Sequence, residues 1–227
     1  MSWYVVVGPG EHTGLVIEAD IAVGSLDTQV GRLSVAVSDV GLIAVGWGEP
    51  AGLLARPGLV SGVGQPPRST DPTEQLARTR PVLRQLAEYF AGTRREFDLV
   101  LDWRLTTGTT QSVLRTLHDT VGFGQAITYG RLAARSGSGV PARGIGAIMG
   151  ANPLPIVVGC HRVLAATGLG GYSGGHRETP GERRPGSSRY GLETKRWLLT
   201  FEEILPPTLG WDPAARLDLD DSRPLSG

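Results

Sequence analysis

The hydrophobic positions of the first half of the chain predict strands on either side of a loop and a helix. Residues 3–47 have β character, and Arg32–Val37 and Leu42–Trp47 predict two strands that the polar and glycine residues between them join as a hairpin. Ala51–Pro72 is rich in glycine and proline and predicts a long loop. Phe97–Trp103 alternates between apolar and polar residues, which predicts a further strand.

A helix is predicted to follow the loop. Asp71 can cap it, Pro72 suits its first position, and an acidic residue follows in the first turn. Pro81 should kink or restart this helix, and Gly92 should end it. The apolar residues that fall on one face of it are Leu76, Leu83, Leu86, Ala87 and Phe90. Residues 1–105 are therefore predicted to form an α/β domain.

The second half of the chain has the hydrophobic periodicity of helices. Gln111–Thr120, Tyr129–Arg135, Pro141–Gly150 and Thr194–Leu205 each predict a helix, and Thr128 can cap the second of them. The residues of the last helix that should face inward are Trp197, Leu198, Phe201 and Leu205. This periodicity predicts a second domain that is mainly helical.

The second domain is predicted to span residues 106–205, and residues 206–227, which are acidic and rich in proline, to form a flexible tail. The net charge of zero is unevenly distributed. Residues 121–200 carry 10 basic and 3 acidic side chains, whereas the parts of the chain before and after them are net acidic. This basic stretch indicates either a surface that binds a polyanion or a solvated face that acidic neighbours balance.

Two absences in the sequence narrow the class of protein. No apolar run approaches the roughly 18 residues that a membrane span needs, and the N-terminus lacks the pattern of a signal peptide. We therefore expect a cytoplasmic protein that does not contact membranes. The single cysteine, Cys160, excludes an internal disulfide framework and any zinc site made of several cysteines.

The segment 141–152, PARGIGAIMGAN, has an unusual composition for a predicted helix. Each of its three glycines costs about 1 kcal/mol relative to alanine inside a helix. A helix this smooth, with Arg143 as its one charged residue, suits a groove of duplex DNA, where Arg143 can fill space in the base stack or contact a phosphate. The alternative is a loop, or a tight packing of helices with Arg143 in solvent.

The segment after this helix contains the candidate nucleophile. Leu154–Val158 is a short apolar run that is predicted to be buried and extended, and it leads to Cys160 and His161. The neighbouring imidazole and the cation of Arg162 favour the thiolate, which is the nucleophilic form, and Gly159 leaves the backbone open to close approach. The alternative is an inert buried cysteine.

Two other parts of the sequence can complete such a site. Glu202 or Glu203, in the last predicted helix, can orient the imidazole. Residues 168–175, GLGGYSGG, suit a loop that closes over a flat ligand. They lack the strand–turn–helix context of a loop that binds a nucleotide cofactor.

From Gly122 to Glu202, about a third of the chain, the sequence resembles the O6-alkylguanine-DNA alkyltransferases, or methylated-DNA–protein-cysteine methyltransferases. The matching segments are ITYGRLA, PARGIGAIMGANPLPIVV, CHRV, GYSGG and KRWLLTFE, in that order and near the family's spacing. The first half matches more loosely, through LAEYFAGTRREFDLVLD. The resemblance implies an α+β protein, with an N-terminal ribonuclease-H-like α/β domain and a C-terminal, mainly helical, winged-helix-like DNA-binding domain.

The same resemblance implies DNA repair. Cys160 would take an alkyl group from O6 of a flipped-out guanine in one irreversible turnover, with no cofactor and no metal. His161 would accept the thiol proton through a water, Glu202 would orient His161, and Asn152 would tie the helix end to the active-site turn. Tyr172 is the candidate that protonates the departing guanine. The partner would be double-stranded DNA containing O6-alkylguanine, bound by a monomer, with cooperative binding along the duplex left open.

DNA contacts and a base pocket also follow from the resemblance. Arg143 would replace the flipped nucleotide in the stack, and Tyr129 would press on the adjacent phosphate. The small residues that would face DNA on the helix of Arg143 are Ala142, Gly144, Gly146 and Ala147. In the implied guanine pocket, Met149 and Pro155 would form apolar walls, and the main chain near Val163 would read the exocyclic amine. Gly159, Ser173 and Gly174 would also line the pocket.

Two features depart from the family's pattern. Gly159 stands where the family has proline, which predicts a less rigid turn and a roomier pocket. An insertion, His176–Gly191, separates the GYSGG loop from the last helix, and its arginines either contact DNA phosphates or belong to a surface loop. The functional alternatives to alkyl transfer are a non-enzymatic binder of alkylated DNA, a transferase specialised for bulkier adducts, and a multiple-turnover Cys–His hydrolase.

Overall fold

The N-terminal half is built on a three-stranded antiparallel sheet. The structure is a computed structural model, and it describes residues 21–56, 59, 71–172 and 188–216. The strands, in chain order and in sheet order, are β1 (Ala22–Thr28), β2 (Gly31–Val37) and β3 (Leu42–Trp47). The predicted hairpin of β2 and β3 is confirmed, with Val35 opposite Val45. The β character predicted before residue 21 lies outside the described residues.

Both faces of this sheet are covered, which explains why consecutive residues of β2 and β3 are buried. On one face, Val35 belongs to a core that it shares with the long helix α2 (Pro72–Phe90). On the other face, Ile43 packs in a smaller core with Leu53, which lies in the short helix α1 (Pro50–Leu54). The sheet is therefore the middle layer of the N-terminal half.

The start of the predicted loop Ala51–Pro72 is helical, so that prediction is wrong there. α1 begins at Pro50, because proline suits the first turn of a helix, and Leu53 gains a buried position under the sheet. Residues 57–58 and 60–70 of the predicted loop lie outside the described residues.

The predicted capped helix is confirmed as α2. The Asp71 carboxylate accepts a hydrogen bond from the Thr73 N–H at 2.8 Å, and the helix ends before Gly92, which has a φ of +75°. Pro81 does not restart the helix, because it lies on the exposed side while the residues around it are anchored in the core.

The buried face of α2 differs from the predicted one. Leu76 and Ala87 are exposed, although both were expected to face inward. The residues that the helix does bury are Thr79, Val82, Gln85, Leu86, Tyr89 and Phe90. The difference arises because the sheet covers only part of the broad apolar face of α2, and the periodicity of the sequence does not show which part.

Phe97–Trp103 is not a strand, so this prediction is wrong as well. The segment meets β3 through one parallel bridge, in which the Leu42 N–H donates to the Val100 carbonyl at 2.9 Å. Gly41 allows this approach, because a Cβ at that position would lie 2.2 Å from the Val100 oxygen. A single bridge is too short to form a strand.

In the described part of the C-terminal half, the regular elements besides one 3₁₀ turn are four α-helices and a small parallel sheet. They are α3 (Gly108–Thr120), β4 (Ile127–Thr128), α4 (Tyr129–Ser136), α5 (Ala142–Gly150), β5 (Val163–Leu164) and α6 (Ser188–Phe201). All four predicted helices are confirmed, and Thr128 caps α4 by accepting a hydrogen bond from the Arg131 N–H. α6 begins at Ser188 rather than at Thr194, so its first turn uses residues of the predicted insertion. It ends at Phe201 rather than at Leu205, so Glu202 and Glu203 follow the helix.

A shared core joins the two halves, and aromatic side chains fill it at the junction. The ring of Tyr89 from α2 meets that of Phe201 from α6 at a centroid distance of 5.5 Å, and Phe201 stacks on Trp197 at 4.9 Å. Trp211, in the predicted tail, packs against Trp197 at 5.6 Å. The predicted α+β class, with an α/β half followed by a mainly helical half, is confirmed. Within the described ranges, the helices are all too short or too polar to cross a bilayer.

Candidate active site

Cys160 lies in a tight turn that follows α5. The run Leu154–Val158 is buried, as expected, but it folds into turns instead of an extended strand. Ile156 has a positive φ of 74°, and the Val158 N–H donates to the Leu154 carbonyl at 2.8 Å. The prediction of an extended segment is wrong because turn hydrogen bonds satisfy these buried main-chain groups locally, where a strand would need a neighbour.

Asn152 connects the end of α5 to this turn. Its fully buried side chain donates from Nδ2 to the Val158 carbonyl at 2.9 Å, and its Oδ1 accepts from the Leu154 N–H at 3.0 Å. The same side chain acts to lower the pKa of the Cys160 thiol. Asn152 therefore holds both ends of the turn together beside the sulfur.

The 3₁₀ turn Cys160–Arg162 brings a thiol, an imidazole and a guanidinium into one buried cluster. His161 Nε2 lies 2.9 Å from Glu202 Oε1, whereas Glu203 is exposed, so the structure selects the first of the two candidate carboxylates. Because a carboxylate only accepts hydrogen bonds, Nε2 carries the proton. His161 Nδ1 is then the unprotonated nitrogen, and it is buried without a hydrogen-bond partner among the described residues.

Burial determines the protonation states in this cluster. It raises the pKa of the Cys160 thiol, although Asn152 and the charge of Lys195 act in the opposite direction. Burial lowers the pKa of His161 below its ordinary value, although Glu202 acts to raise it. At neutral pH the resting cluster therefore contains a protonated thiol and a neutral imidazole.

Glu202 has two further hydrogen-bond donors that the sequence patterns did not indicate. The Tyr89 hydroxyl donates to Oε1 at 2.7 Å, and Arg162 donates from Nε to Oε2 at 2.8 Å and from Nη2 to Oε1 at 2.9 Å. Burial alone would raise the pKa of Glu202, but His161 and Arg162 hold it well below its usual range. The carboxylate therefore stays ionised in the protein interior.

Lys195 is the only lysine in the sequence, and it is fully buried. Its Nζ donates to the carbonyls of Val163, Leu169 and Gly171 at 2.7, 2.6 and 3.0 Å. Burial lowers the pKa of Lys195 to about 8, while Cys160 acts to raise it. Lys195 joins the glycine-rich loop to α6, a role that sequence reasoning missed because a lysine in a helix is usually solvated.

Two tyrosines border the cluster. Burial and the nearby Cys160 raise the pKa of Tyr172, whose buried hydroxyl has no well-formed hydrogen bond to the described residues. Tyr129 is half-buried, and its hydroxyl donates to the Gly171 carbonyl at 3.2 Å. Gly170 lies against the same ring, because a Cβ there would be 2.9 Å from Tyr129 Cε2. The loop that contains Tyr172 is therefore packed directly on Tyr129.

α5 divides its residues between core and solvent. Its buried residues are Ile145, Ile148 and Met149. Its solvent side consists of small residues around the exposed Arg143, namely Ala142, Gly146 and Ala147. Gly144 turns toward Val140, which a Cβ there would meet at 2.5 Å. The result is a smooth outer strip with one cation on it.

The residues implied for a base pocket are only partly within the described chain. Met149, Pro155, Gly159 and Val163 are all buried. Ser173 and Gly174 lie outside the described residues, as do residues 176–187 of the predicted insertion.

The sequence matches two family models that together cover both halves. Residues 21–103 match the ribonuclease-like domain of 6-O-methylguanine DNA methyltransferase, and residues 109–204 match its DNA-binding domain. The methylated-DNA–protein-cysteine methyltransferase of Mycolicibacterium paratuberculosis is 37% identical over 139 residues, which cover 61% of this chain and 81% of the relative. The chain belongs to this family. The methyltransferase of Methanopyrus kandleri is 33% identical over 62% of this chain and 93% of its own length.

Solved methyltransferase structures share the fold. The crystal structure of Mycobacterium tuberculosis OGT in complex with DNA has a TM-score of 0.56 and 29% identity, covering 80% of this chain and 93% of that one. The structure of Mycobacterium tuberculosis O6-methylguanine methyltransferase has a TM-score of 0.55 and 27% identity, covering 82% and 95%. The similarity therefore extends over both halves of this methyltransferase-family chain.

Proposed function

We propose that this protein repairs DNA by transferring an alkyl group from O6 of guanine to Cys160 in a single irreversible turnover. The observation that carries the proposal is the buried series of Cys160, His161 and Glu202, with the imidazole bonded to the carboxylate at 2.9 Å. A nucleophile, a base and a group that orients the base are the components that thiol-based transfer requires.

The proton and the alkyl group move in a defined order in this proposal. The Cys160 proton passes to His161 Nδ1 through a bridging water, and Glu202 stabilises the imidazolium that forms. The thiolate attacks the alkyl carbon, so that an S–C bond forms while the bond from that carbon to guanine O6 breaks. The guanine leaves as an anion and takes a proton from the Tyr172 hydroxyl, and the proton held by His161 then restores that hydroxyl. Asn152 keeps the sulfur in place during the transfer.

The reaction requires guanine to leave the duplex, because O6 of a stacked base is out of reach of a buried thiol. We assign the outer strip of α5 to DNA, with Arg143 taking the place of the extruded nucleotide and Tyr129 against the adjacent phosphate. The residues of α5 assigned with Arg143 are Ala142, Gly146 and Ala147 on the outer strip, together with Gly144 beside it. The base would then be enclosed by Met149, Pro155, Gly159, Val163, Ser173 and Gly174.

The partner that this proposal names is double-stranded DNA with O6-alkylguanine, bound by one copy of the chain in the cytoplasm. Support comes from the exposed, low-profile α5 and from the structure of a relative solved with DNA. Methyl is the group that the family name specifies, and larger alkyl groups are further candidates.

The test is to incubate the protein with a duplex that contains O6-methylguanine and to weigh the intact protein. Transfer adds about 14 Da to Cys160, because a methyl group replaces a hydrogen on the nucleophile. The matched control is Cys160→Ser, which should bind the same duplex and gain no mass. Binding of the wild-type chain without a mass increase would indicate a binder of alkylated DNA, and repeated turnover would indicate a hydrolase.

A further inference from the structure

Hydrogen bonds from Lys195 and Tyr129 hold the main chain of the loop that contains Tyr172. They end on carbonyl groups of the loop, so none of these bonds reaches the Tyr172 ring. Gly168 and Gly170, which precede Tyr172, have φ of +113° and +70°, values that favour glycine. The position of the ring therefore depends on what packs against the ring itself.

Trp47, the last residue of β3, packs against this ring from the N-terminal half. The two rings meet edge to face, with centroids 6.3 Å apart and planes at 90°. Aromatic pairs favour this geometry, because the positive edge of one ring meets the negative face of the other. The Tyr172 ring therefore rests on an aromatic wall that a distant part of the chain provides.

The indole of Trp47 is itself fixed at two points. Its main chain lies opposite Leu33 in the ladder of β2 and β3, and its Nε1 donates to the Val30 carbonyl at 3.0 Å. Val30 is fully buried in the turn between β1 and β2. A tryptophan side chain has few rotatable bonds, so an anchored backbone and one hydrogen bond fix the plane of its ring.

β3 also contacts the turn that contains Cys160. The Val45 N–H donates to the Pro153 carbonyl at 2.8 Å. Pro153 lies between Asn152 and the buried run that leads to Cys160. One strand therefore supports both the turn of the proposed nucleophile and the ring of the proposed proton donor.

We propose that Trp47 is a positioning residue for alkyl transfer, which holds the Tyr172 hydroxyl where the departing guanine takes its proton. The inference rests on the proposed function and adds a residue of the N-terminal half to it. The thiolate and the hydroxyl act on the same guanine, so the distance between Cys160 and Tyr172 has to stay constant. The attachment of both segments to β3 keeps it constant.

The experiment compares single-turnover transfer by the wild-type chain, Trp47→Leu and Trp47→Phe, with a saturating duplex that contains O6-methylguanine and at a temperature at which the chains are folded. Trp47→Leu should be slower by about tenfold, a part of the hundredfold or more that a positioned acid contributes. Trp47→Phe keeps a ring but loses the Nε1 hydrogen bond, and it should be slower by only about threefold. Duplex affinity, measured by fluorescence anisotropy, should be unchanged in both variants, because the surface that we assign to DNA lies on α5.

Trp103→Leu is the matched control. Trp103 is 9% exposed, and its ring contacts Arg115 and His118 of α3. Leucine there removes a similar aromatic area from another part of the core. This variant should lower the unfolding temperature and leave the transfer rate of the folded protein unchanged.

A double-mutant cycle with Tyr172→Phe shows whether Trp47 acts through the hydroxyl. Tyr172→Phe removes the hydroxyl and keeps the ring, so Trp47→Leu should cause little further loss in that background. If leucine at position 47 prevents folding, Trp47→Phe takes its place in the cycle.

Three results would overturn the inference. They are a wild-type rate for the folded Trp47 variant, additive effects in the cycle, and a wild-type rate for Tyr172→Phe. A wild-type chain that gains no mass would instead overturn the proposed function.

Discussion

At the scale of single residues, the reactivity of Cys160 depends on its neighbours more than on the thiol itself. Burial keeps the sulfur protonated at neutral pH, since it raises the thiol pKa. The same burial keeps His161 neutral, since it lowers the imidazole pKa. One environment therefore keeps the proposed nucleophile protonated and the proposed base neutral.

The pH dependence of transfer should follow His161. Because burial lowers its pKa below the ordinary value of about 6.5, the base stays unprotonated through neutral pH. We expect a rate constant that is flat from pH 8 down to about 6.5 and falls at lower pH as the imidazole gains its proton. Single-turnover mass measurements across this range provide the profile. A decline that begins well above neutral pH would contradict this assignment of the base.

Lys195 should be needed for transfer but not for DNA binding. Lys195→Met keeps the apolar stem and leaves three carbonyls near the pocket loop without their donor, at a cost of about 1–3 kcal/mol for each buried group. We expect transfer to slow at least tenfold, since a loop misplaced by about 1 Å can cost more than that. The control is Arg196→Met on the exposed side of the same helix. An unchanged rate for Lys195→Met would show that the loop is held without it.

At the scale of elements, α5 combines poor intrinsic helix stability with a smooth outer surface. Gly146 lies on that surface, and a Cβ there would meet nothing within 4 Å. Nothing in the packing of the described residues therefore requires this glycine. Close approach of the proposed DNA partner would explain it.

Gly146→Leu tests this reading because stability and binding should change in opposite directions. Leucine is a better helix former than glycine by up to about 1 kcal/mol, so the unfolding temperature should hold or rise. Duplex affinity should fall, since the larger side chain would keep α5 away from the groove. Thermal unfolding and fluorescence anisotropy with a labelled duplex measure the two effects. Unchanged affinity would place DNA on another surface.

The helix α2 contributes to the site from the other half of the molecule. Tyr89→Phe keeps the aromatic cluster but removes the hydrogen bond to the Glu202 carboxylate. We expect a loss of about 1.5–3 kcal/mol in the free energy of unfolding, typical of a hydrogen bond to a charged group, together with slower transfer. The control is Phe90→Leu, because Phe90 forms no hydrogen bond to Glu202. This variant should lower stability and leave the transfer rate unchanged. If Tyr89→Phe transfers the alkyl group at the wild-type rate, α2 contributes only to the stability of the fold.

At the scale of the whole molecule, the net charge of zero conceals a basic stretch in the C-terminal half. Residues 176–187 add three arginines to it, Arg177, Arg183 and Arg184. If they contact phosphates, deleting 176–187 should weaken duplex binding and reduce the slope of log affinity against log salt by up to about 3, since each contact contributes about 0.9. An identical slope after the deletion would show that these arginines do not contact DNA phosphates. The deletion stops before Ser188, where α6 begins.

Much of the local structure was predictable because its causes are local. The cap of α2, the start of α4 and the strands β2 and β3 follow from caps, turns and periodicity within a few residues. The adjacent Cys160 and His161 were visible for the same reason. Local patterns gave a wrong prediction at Leu154–Val158, because this apolar run resembles a strand but forms hydrogen bonds within the segment.

The sequence by itself determined the family and indicated the proposed nucleophile and base, because these depend on residue types in a fixed order. Only the tertiary structure decided which groups hold the base in place. Tyr89 reaches Glu202 across 113 residues of chain, and Lys195 reaches Leu169 across 26, so no local pattern contains these contacts. The contact of Arg162 with Glu202 is of the same kind, because folding has to bring these two residues together across 40 residues of chain.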